Sequence, residues 1–288
     1  MKLIKQSFEF INQTDFSLVG IKKHIERCAR VSYKSENKIT DTSYEKFVNM
    51  LESRGHDRPL EFGTVHLKMM LSDFQTFIHS VLTIGMFNNI WIKHAYKRDA
   101  IYITTNYRYY LDIIKYFPNV KEYFTEEDNE YYPKRYTVHM ILDRGVMDEF
   151  RTHVGLSHLA ESTRYCNYSK DKFGNELTFI QPCWLNDEKL KLYGPYHTVI
   201  RDKSPESIFI ANLNNVERDY LDLIKLGWTP QQARSVLPLG IKSELISCGF
   251  EDSWENFFKR RDAPDAHPMA QEIAKPMHQK FIELTKMG

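Results

Sequence analysis

The chain has few of the features that mark secreted, metal-stabilised or membrane proteins. Its 288 residues include four cysteines and no Cys-x-x-Cys pair, which argues against a disulfide scaffold or a zinc ribbon. Residues 1–10 lack the apolar core of a secretion signal. The longest apolar-leaning run, residues 80–92, contains two asparagines and is too short to span a bilayer. We therefore expect a cytoplasmic protein with reduced thiols.

The charge balance gives no general attraction to a charged partner. The formal net charge is +1, so no global field favours nucleic acid or an anionic membrane. His139, His153 and His158 occur without a His-Glu-x-x-His or Cys-x-x-Cys context, and no metal site is expected. A hydrophobic content of 42% is enough for a sizeable core. We expect one domain over residues 1–288, since no linker or low-complexity segment divides them.

The hydrophobic periodicity predicts an α+β fold, a β-sheet packed with several helices. Helical spacing occurs in residues 15–31, 44–54, 206–226, 254–261 and 267–286, and strand-like patterns in 2–11, 63–70, 137–142 and 177–180. Ser43, Thr229 and Ser253 are expected N-caps, and Thr229 is followed by a proline suited to the first helical turn. Gly55 and Gly227 suit helix ends.

Residues 70–135 are unusually rich in tyrosine and look like an insertion or an elaborated strand–helix–strand arm. The rings alternate with lysines and arginines, and such a mixture can stack bases in a positive groove. An oligomer interface or a small hydrophobic subdomain is the alternative, because tyrosine is enriched at interfaces. The run has no dense cationic stripe, so we do not expect nucleic acid as a partner. The tyrosines are Tyr102, Tyr107, Tyr109, Tyr110, Tyr116, Tyr123, Tyr131 and Tyr132.

The segment 142–172 concentrates chemically active side chains. Val146, Phe150 and Val154 recur at i, i+4 and i+8, which predicts a helix. The helix would lead into Ser162-Thr163-Arg164-Tyr165, whose hydroxyl and guanidinium groups suit an anion site. An amphipathic helix with a solvated charged face is the other interpretation. The remaining faces of this helix would carry Arg144, Arg151, His153, His158 and Glu161.

Five sequence blocks resemble the flavin-dependent (alternative) thymidylate synthases. The Ser-x-Arg-Tyr motif at 162–165, followed by CNYSKDKFGNELTFIQP, resembles that family's signature region. TPQQARSVLP at 229–238 and WENFFKRRDAPDAHPMAQEI at 254–273 resemble its C-terminal blocks, and CARVSY at 28–33 and GHDRPLEF at 55–62 its N-terminal ones. The blocks follow the family's order and cover most of the chain outside 70–135. The resemblance implies the family's α+β fold and a homotetramer with active sites between subunits.

The resemblance assigns a dUMP site to residues from three of these blocks and to Glu149, which lies outside them. Its members are Glu149, Ser162, Arg164, Arg234 and Arg261. Ser162 and Arg164 would anchor the nucleotide, and Arg261 would hold the uracil edge and favour the charge that develops there, so Ser162 and Arg261 are the expected catalytic residues. Many relatives have glutamine where this chain has Glu149. Taken singly, each arginine also suits a surface ion pair.

The implied FAD site departs further from the family pattern. The family's Arg-His-Arg triplet corresponds here to Thr152-His153-Val154, which keeps the histidine alone, with Arg151 one place upstream. The upstream Glu-His pair reads Glu61-Phe62. We expect the protein to bind FAD with altered contacts to the FAD diphosphate. The implied FAD contacts are Ser32, His56, Arg58, Glu61, Arg151, His153 and Asn256.

The resemblance implies conversion of dUMP to dTMP without an enzymic nucleophile. Methylenetetrahydrofolate would supply the one-carbon unit, and FAD reduced by NADPH would supply hydride. Three alternatives stay open. A related enzyme such as a pyrimidine hydroxymethylase would make another product from dUMP. Cys166 could attack uracil C6 as a thiolate activated by nearby cations, or it is an inert thiol. A non-catalytic nucleotide-binding or nucleic-acid-binding protein would have lost the flavin.

Overall fold

The strands form three sheets within the part of the chain that the computed structural model describes, namely residues 1–83, 92–164, 166–170, 174–185, 188, 190 and 203–287. The strands are β1 (Lys2–Ile4), β2 (Ser7–Phe10), β3 (Thr64–Met70), β4 (Ile92–Lys97), β5 (Ala100–Asn106), β6 (Phe124–Thr125), β7 (Arg135–Asp143), β8 (Ser157–Ala160), β9 (Thr178–Ile180) and β10 (Lys242–Phe250). One sheet has the order β2-β7-β10-β8 and another the order β4-β5-β3-β6, both antiparallel, while β1 pairs with β9 in parallel.

Helices cover these sheets, and the predicted α+β fold is confirmed. A 3₁₀ turn at Arg58–Phe62 follows the helix Ser43–Ser53, and another at Arg234–Val236 follows the helix Pro230–Ala233. The helices are α1 (Leu18–Tyr33), α2 (Ser43–Ser53), α3 (Leu71–Thr83), α4 (Tyr107–Tyr116), α5 (Arg144–Phe150), α6 (Pro205–Lys225), α7 (Pro230–Ala233), α8 (Glu251–Arg261) and α9 (Pro268–Met287). Most predicted helices therefore lie within a few residues of their expected bounds.

Three hydrophobic clusters hold the elements together. The first packs α1, α2 and α4 against the β4-β5-β3-β6 sheet. The second packs α5, α8 and α9 on β7 and β10, with Trp254 and Phe257 fully buried. The third packs α6 and the segment after α7 on β9. The β2-β7-β10-β8 sheet contributes to the first two clusters, so its strands have buried residues on both faces.

Several predicted boundaries were wrong. Residues 2–11 form two strands in different sheets, β1 and β2, rather than one. Ser253 lies inside α8, which begins at Glu251. Ser43 is the first residue of α2 rather than its N-cap, and its hydroxyl donates to the Glu26 carboxylate at 2.8 Å. Thr229 does cap α7, in a reciprocal capping box with Gln232.

The predicted helix through 142–161 ends early. Asp143 caps it by accepting from the Val146 amide at 2.7 Å, and the helix stops at Phe150. Val154 is 76% exposed and does not continue the apolar face. Gly155 has φ +96°, and a Cβ there would lie 2.7 Å from the Ser253 hydroxyl. The chain turns at this glycine into β8, so His158 lies on a strand and Glu161 directly after it.

The tyrosine-rich stretch forms a sheet and its covering helix rather than an open groove. β5 and β6 pair with β3, and the rings of Tyr107, Tyr109 and Tyr110 join the first cluster. Tyr102 and Tyr132 are buried too. Buried rings are not available to stack on bases, so the nucleic-acid interpretation loses its main support here. No helix among the described residues combines the length and apolar character needed to cross a membrane.

Candidate functional site

A cleft of about 800 Å³ opens beside the C-terminal end of α1, the turn at 55–59, α5 and the loop after β8. Its volume lies in the range of small-molecule and cofactor sites, roughly 300–1,000 Å³. Predicted site residues from five separate stretches line it. These are Ser32, His56, Arg58, Arg151, Ser162 and Arg234.

Strand pairing and a capped helix bring the nucleotide-side residues together. β8 pairs with β10, and the Glu161 amide extends this pairing by donating to the Glu244 carbonyl at 2.8 Å. The chain then leaves the sheet at Ser162. Arg164 donates from Nε to Gln231 Oε1 at 3.0 Å, which joins this loop to α7. Arg234 follows α7 directly, so Ser162 and Arg234 reach the same cleft.

The side chains of the cleft favour an anionic ligand. Arg58, Arg144, Arg151 and Arg234 line it, against the carboxylates Asp57 and Glu161 among the described residues. Arginine presents several donors in a planar fork that matches phosphate oxygens. Glu161 has its own cations, described next, so its charge does not cancel those of the arginines.

A buried ionic network lies beneath the loop that carries Ser162. Glu161 is 1% exposed and accepts from Lys242 Nζ at 2.9 Å, with Lys34 Nζ at 3.8 Å. Both lysines also contact Glu244, which accepts from His139 Nε2 at 2.9 Å. Burial opposes ionisation of Glu244, but the His139 hydrogen bond and the two lysines outweigh it and lower its pKa. These ion pairs hold charged side chains beneath the loop that borders the cleft.

Cys166 belongs to this network and is a poor nucleophile. Its thiol is buried, and Sγ donates to Glu161 Oε1 at 3.4 Å. Burial and the adjacent Glu161 carboxylate raise the pKa of the thiol to about 12. Nucleophilic attack requires the thiolate, which this environment disfavours. This environment fits the interpretation of Cys166 as an inert thiol and disfavours that of an activated nucleophile.

His158, on the cleft wall, is held in its neutral form. Its Nε2 lies 3.3 Å from the His153 carbonyl, which can only accept, so the proton resides on Nε2. Nδ1 then accepts from the Ser247 hydroxyl at 2.8 Å. Burial, aided by the charges of Arg151 and Arg58, lowers the pKa of His158 to about 4.

Replacing His158 by glutamine is expected to make folding less sensitive to acid. The unfolded imidazole binds a proton below its ordinary pKa of 6.5, whereas the folded one does so only near 4. The unfolded state therefore binds more protons in this window, and the free energy of unfolding falls as the pH falls, by up to about 3 kcal/mol for this group. Urea unfolding above pH 6.5 and close to pH 4 measures the difference. The control is His79→Gln on the exposed surface of α3, and an equal acid loss in both variants would contradict the prediction.

A second group of predicted residues, Glu149, His153 and Arg261, does not line the cleft. Arg261 donates from Nη1 to Glu149 Oε2 at 2.8 Å and from Nε to His153 Nε2 at 2.8 Å. Arginine can only donate, so His153 accepts at Nε2 and carries its proton on Nδ1. Burial and the Arg261 charge lower the pKa of His153 to about 4. The expected convergence of three arginines is thus not met within one chain, because Arg261 is engaged by Glu149 and His153.

Three further predicted residues do not line the cleft of the single chain. Glu61 does not line the cleft, since its carboxylate accepts from Ser157 Oγ and Arg108 Nη1, each at 2.6 Å. Asn256 is exposed on α8 and does not line the cleft. Arg164 is exposed next to Ser162 and is held by Gln231. Tyr165 of the Ser-x-Arg-Tyr motif lies outside the described residues, as does most of the apolar run 80–92.

Some cleft residues were not predicted as site residues. Arg144 was placed on a helix face without a role, yet it lines the cleft with Arg151. The spacing of Arg144, Asp148 and Arg151 at i, i+4 and i+7 could have indicated a shared face. Tyr33 and Thr163 also line the cleft; they lie in the CARVSY block and the Ser-x-Arg-Tyr motif but had no individual role assigned to them.

The residues present suit a flavin or another extended polar ligand. Ser32 Oγ is buried at the cleft wall and has no hydrogen-bond partner among the described residues. A buried hydroxyl without a partner costs about 1–3 kcal/mol, and a ligand in the cleft would supply one. Arg58 and Arg151 add donors for phosphate oxygens nearby. No group of three or more metal-ligating side chains is assembled in the described parts of the chain.

Comparison with known proteins gives one family match. The model described as Thymidylate synthase complementing protein matches residues 134–285, a range that contains Arg151, Ser162, Arg234 and Arg261. The two N-terminal blocks at 28–33 and 55–62 lie outside this range. A search of curated protein sequences gives no match.

Solved structures of low similarity also align. A UMP/dUMP methylase PolB from Streptomyces cacaoi aligns with 13% identity and TM-score 0.42 when bound with 5-Br UMP, covering 99% of this chain and 92% of that one. With 5-Br dUMP the values are 15%, 0.43, 99% and 93%. Thymidylate Synthase X from Helicobacter pylori, with FAD and dUMP, aligns with 19% identity and TM-score 0.36, covering 50% of this chain and 65% of that one.

Proposed function

The chain belongs to the Thymidylate synthase complementing protein family, that of the flavin-dependent thymidylate synthases, and from this premise we propose that it methylates dUMP to dTMP. Methylenetetrahydrofolate is the proposed one-carbon donor and NADPH the reductant. FAD, when bound, supplies the hydride that completes the methyl group. We also propose that the protein acts as a homotetramer in the cytoplasm.

The nucleotide phosphate is assigned to the side of the cleft formed by Ser162 and Arg234. A hydroxyl and a guanidinium there provide the donors that a phosphate dianion requires. The network of Glu161 with Lys242 and Lys34 holds the backbone beside Ser162, so the hydroxyl is oriented before the ligand arrives. Arg164 extends the same edge through its contact with Gln231.

The flavin is assigned to the side formed by Ser32, His56, Arg58 and Arg151. Ser32 Oγ offers a hydrogen bond that no described residue accepts or supplies. His158 stays neutral at physiological pH, because its pKa is about 4, and therefore adds no charge beside an electron-rich ring.

Arg261 is proposed to act on the uracil of a neighbouring subunit. Within its own chain it is fixed by Glu149 and His153, with its side chain 19% exposed. A guanidinium held in this way can stabilise negative charge that develops on a ring presented by another chain. This assignment agrees with active sites built between subunits, which the family resemblance implies.

The observation that carries the proposal is the meeting of Ser32, Arg58, Arg151, Ser162 and Arg234 in one cleft. These residues come from stretches far apart in the chain, and none packs there to fill a core. The decisive assay mixes purified protein, FAD, NADPH, methylenetetrahydrofolate and dUMP. We expect dTMP formation together with flavin reoxidation. Tight dUMP binding with no flavin uptake would favour a non-catalytic nucleotide-binding protein instead.

The mass of the product separates two closely related reactions. A methylated product supports thymidylate synthesis, and a hydroxymethylated one supports a pyrimidine hydroxymethylase on the same scaffold. Both use dUMP and a one-carbon donor, so the binding data alone do not separate them.

Replacing Cys166 by alanine is expected to leave turnover close to that of the wild type. The buried thiol is protonated at neutral pH, because its pKa is raised to about 12, and it contributes a weak hydrogen bond of about 1 kcal/mol to stability. Rates of dTMP formation and thermal unfolding measure the two effects. Cys183→Ala, at an exposed cysteine, is the control. Loss of turnover with intact folding would support the interpretation of Cys166 as a nucleophile.

A further inference from the structure

Arg144 and Arg151 lie on one face of α5 and its C-cap, and both line the cleft. They are seven residues apart, and Arg151 still has helical backbone angles, so the two side chains share a face. Asp148 lies between them. Its Oδ2 is 3.4 Å from Arg144 Nε, and its Oδ1 is 3.4 Å from Arg151 Nη1. One carboxylate therefore orients two guanidinium groups.

The backbone fixes this face relative to the rest of the cleft. The Arg144 amide donates to the carbonyls of Leu239 and Ile241 at 2.9 and 3.1 Å. These carbonyls belong to the segment that follows Arg234, so Arg144 and Arg234 are held on joined elements. Both sets of Asp148 contacts are partly exposed, and such ion pairs contribute only about 0–1 kcal/mol. Asp148 therefore orients the two guanidinium groups but binds them weakly, so their donors can also bind a ligand.

The two triplet positions that have lost arginine do not reach the cleft. Thr152 Oγ1 donates to the Glu149 carbonyl at 2.7 Å and contacts Arg261. Val154 is 76% exposed, and neither residue lines the cleft. In this chain the cations that α5 and its C-cap bring to the cleft are at positions 144 and 151 instead.

We propose that Arg144 and Arg151, bridged by Asp148, form a clamp for the phosphate-ester oxygens of a nucleotide ligand in this cleft. The ligand is either the substrate dUMP or the diphosphate of FAD, and in both cases the clamp depends on the proposed function. Two guanidinium groups on one helix face offer donors to the oxygens of a monophosphate or a diphosphate, which accept charge-assisted hydrogen bonds.

The test measures binding of dUMP and of FAD separately, by calorimetry, to the full chain. The variants are R144Q, R151Q and the double variant, and the control is R218Q, which removes an exposed arginine of α6 paired with Asp219. We expect each single variant to weaken one ligand about tenfold and the double variant to weaken it more. R218Q should bind like the wild type. Wild-type affinity should also fall more steeply with salt than that of the double variant, because fewer charges remain to be screened.

The ligand that loses affinity identifies which phosphate the clamp holds. Unchanged binding of both ligands in the double variant overturns the clamp, and so does an equal loss in R218Q. Thermal unfolding checks each variant, and the single variants decide the matter if the double variant does not fold. A wild-type protein that binds both ligands but makes no dTMP refutes the proposed reaction and leaves the clamp to be judged by the binding data. Binding of neither ligand refutes both.

Discussion

For the homotetramer proposed above, mixed assemblies of R234Q and R261Q are expected to regain the thymidylate synthesis that each variant largely lacks. Arg234 lines the cleft, whereas Arg261 is held elsewhere in the same chain by Glu149 and His153. If both act on one nucleotide, they come from different subunits. Each variant alone should lose about 10- to 100-fold in activity, since each removes a charge-assisted contact of about 1.5–3 kcal/mol. In a mixed assembly, about a quarter of the sites would combine both intact arginines.

The experiment coexpresses the two variants with different affinity tags and assays the doubly purified protein for dTMP. The control mixture is R234Q with S162A. Ser162 and Arg234 line the cleft of the same chain, so no combination of these two variants rebuilds a complete site. Activity in the first mixture and not in the second is the expected result. If neither mixture is active, Arg261 does not act on the site of a neighbouring subunit.

Replacing Lys242 by methionine is expected to lower the free energy of unfolding by about 3–5 kcal/mol. Lys242 contacts both Glu161 and Glu244, and Glu161 is 1% exposed. Lys34 alone would then face two buried carboxylates. The pairing also keeps the pKa of Lys242 above its ordinary value, because the two carboxylates outweigh the effect of burial. Urea unfolding at neutral pH measures the loss.

The double variant Lys242→Met with Glu161→Gln separates charge imbalance from lost packing. It restores one carboxylate for one lysine, so we expect it to recover most of the stability. Lys225→Met is the matched control, since Lys225 is 75% exposed and pairs only with Asp222 among the described residues. A loss in the control as large as in Lys242→Met would show that the network carries no special energy.

The same network makes the free energy of unfolding depend on pH in the acid range. The folded-state pKa of Glu244 lies below its ordinary value of 4.5. Its contribution to stability is therefore complete above that value and is lost as the pH falls below it. The neutral histidines act at higher pH, because their folded pKa values lie near 4 against an ordinary 6.5. Acid first destabilises the fold through His153 and His158, and then through Glu244.

The helices and most of the site's chemistry followed from local sequence. α1, α6 and α9 were predicted because apolar residues recur every three to four positions, and Thr229 and Gly227 marked boundaries by capping and by a positive φ. Six of the predicted ligand residues line one cleft, and their residue types, which suit a phosphate, were legible in the sequence.

The remaining features depend on long-range pairing, which local patterns do not encode. Val146, Phe150 and Val154 have helical spacing, yet Gly155 turns the chain into β8, where pairing with β10 buries His158. Glu61 has the residue type of a ligand contact, but Arg108 and Ser157 occupy its carboxylate. Arg144 carries no motif and lines the cleft because Leu239 and Ile241 bind its backbone. Sequence alone determined which groups can bind phosphate; tertiary packing decided which of them face the cleft, since that choice rests on contacts between residues far apart in the chain.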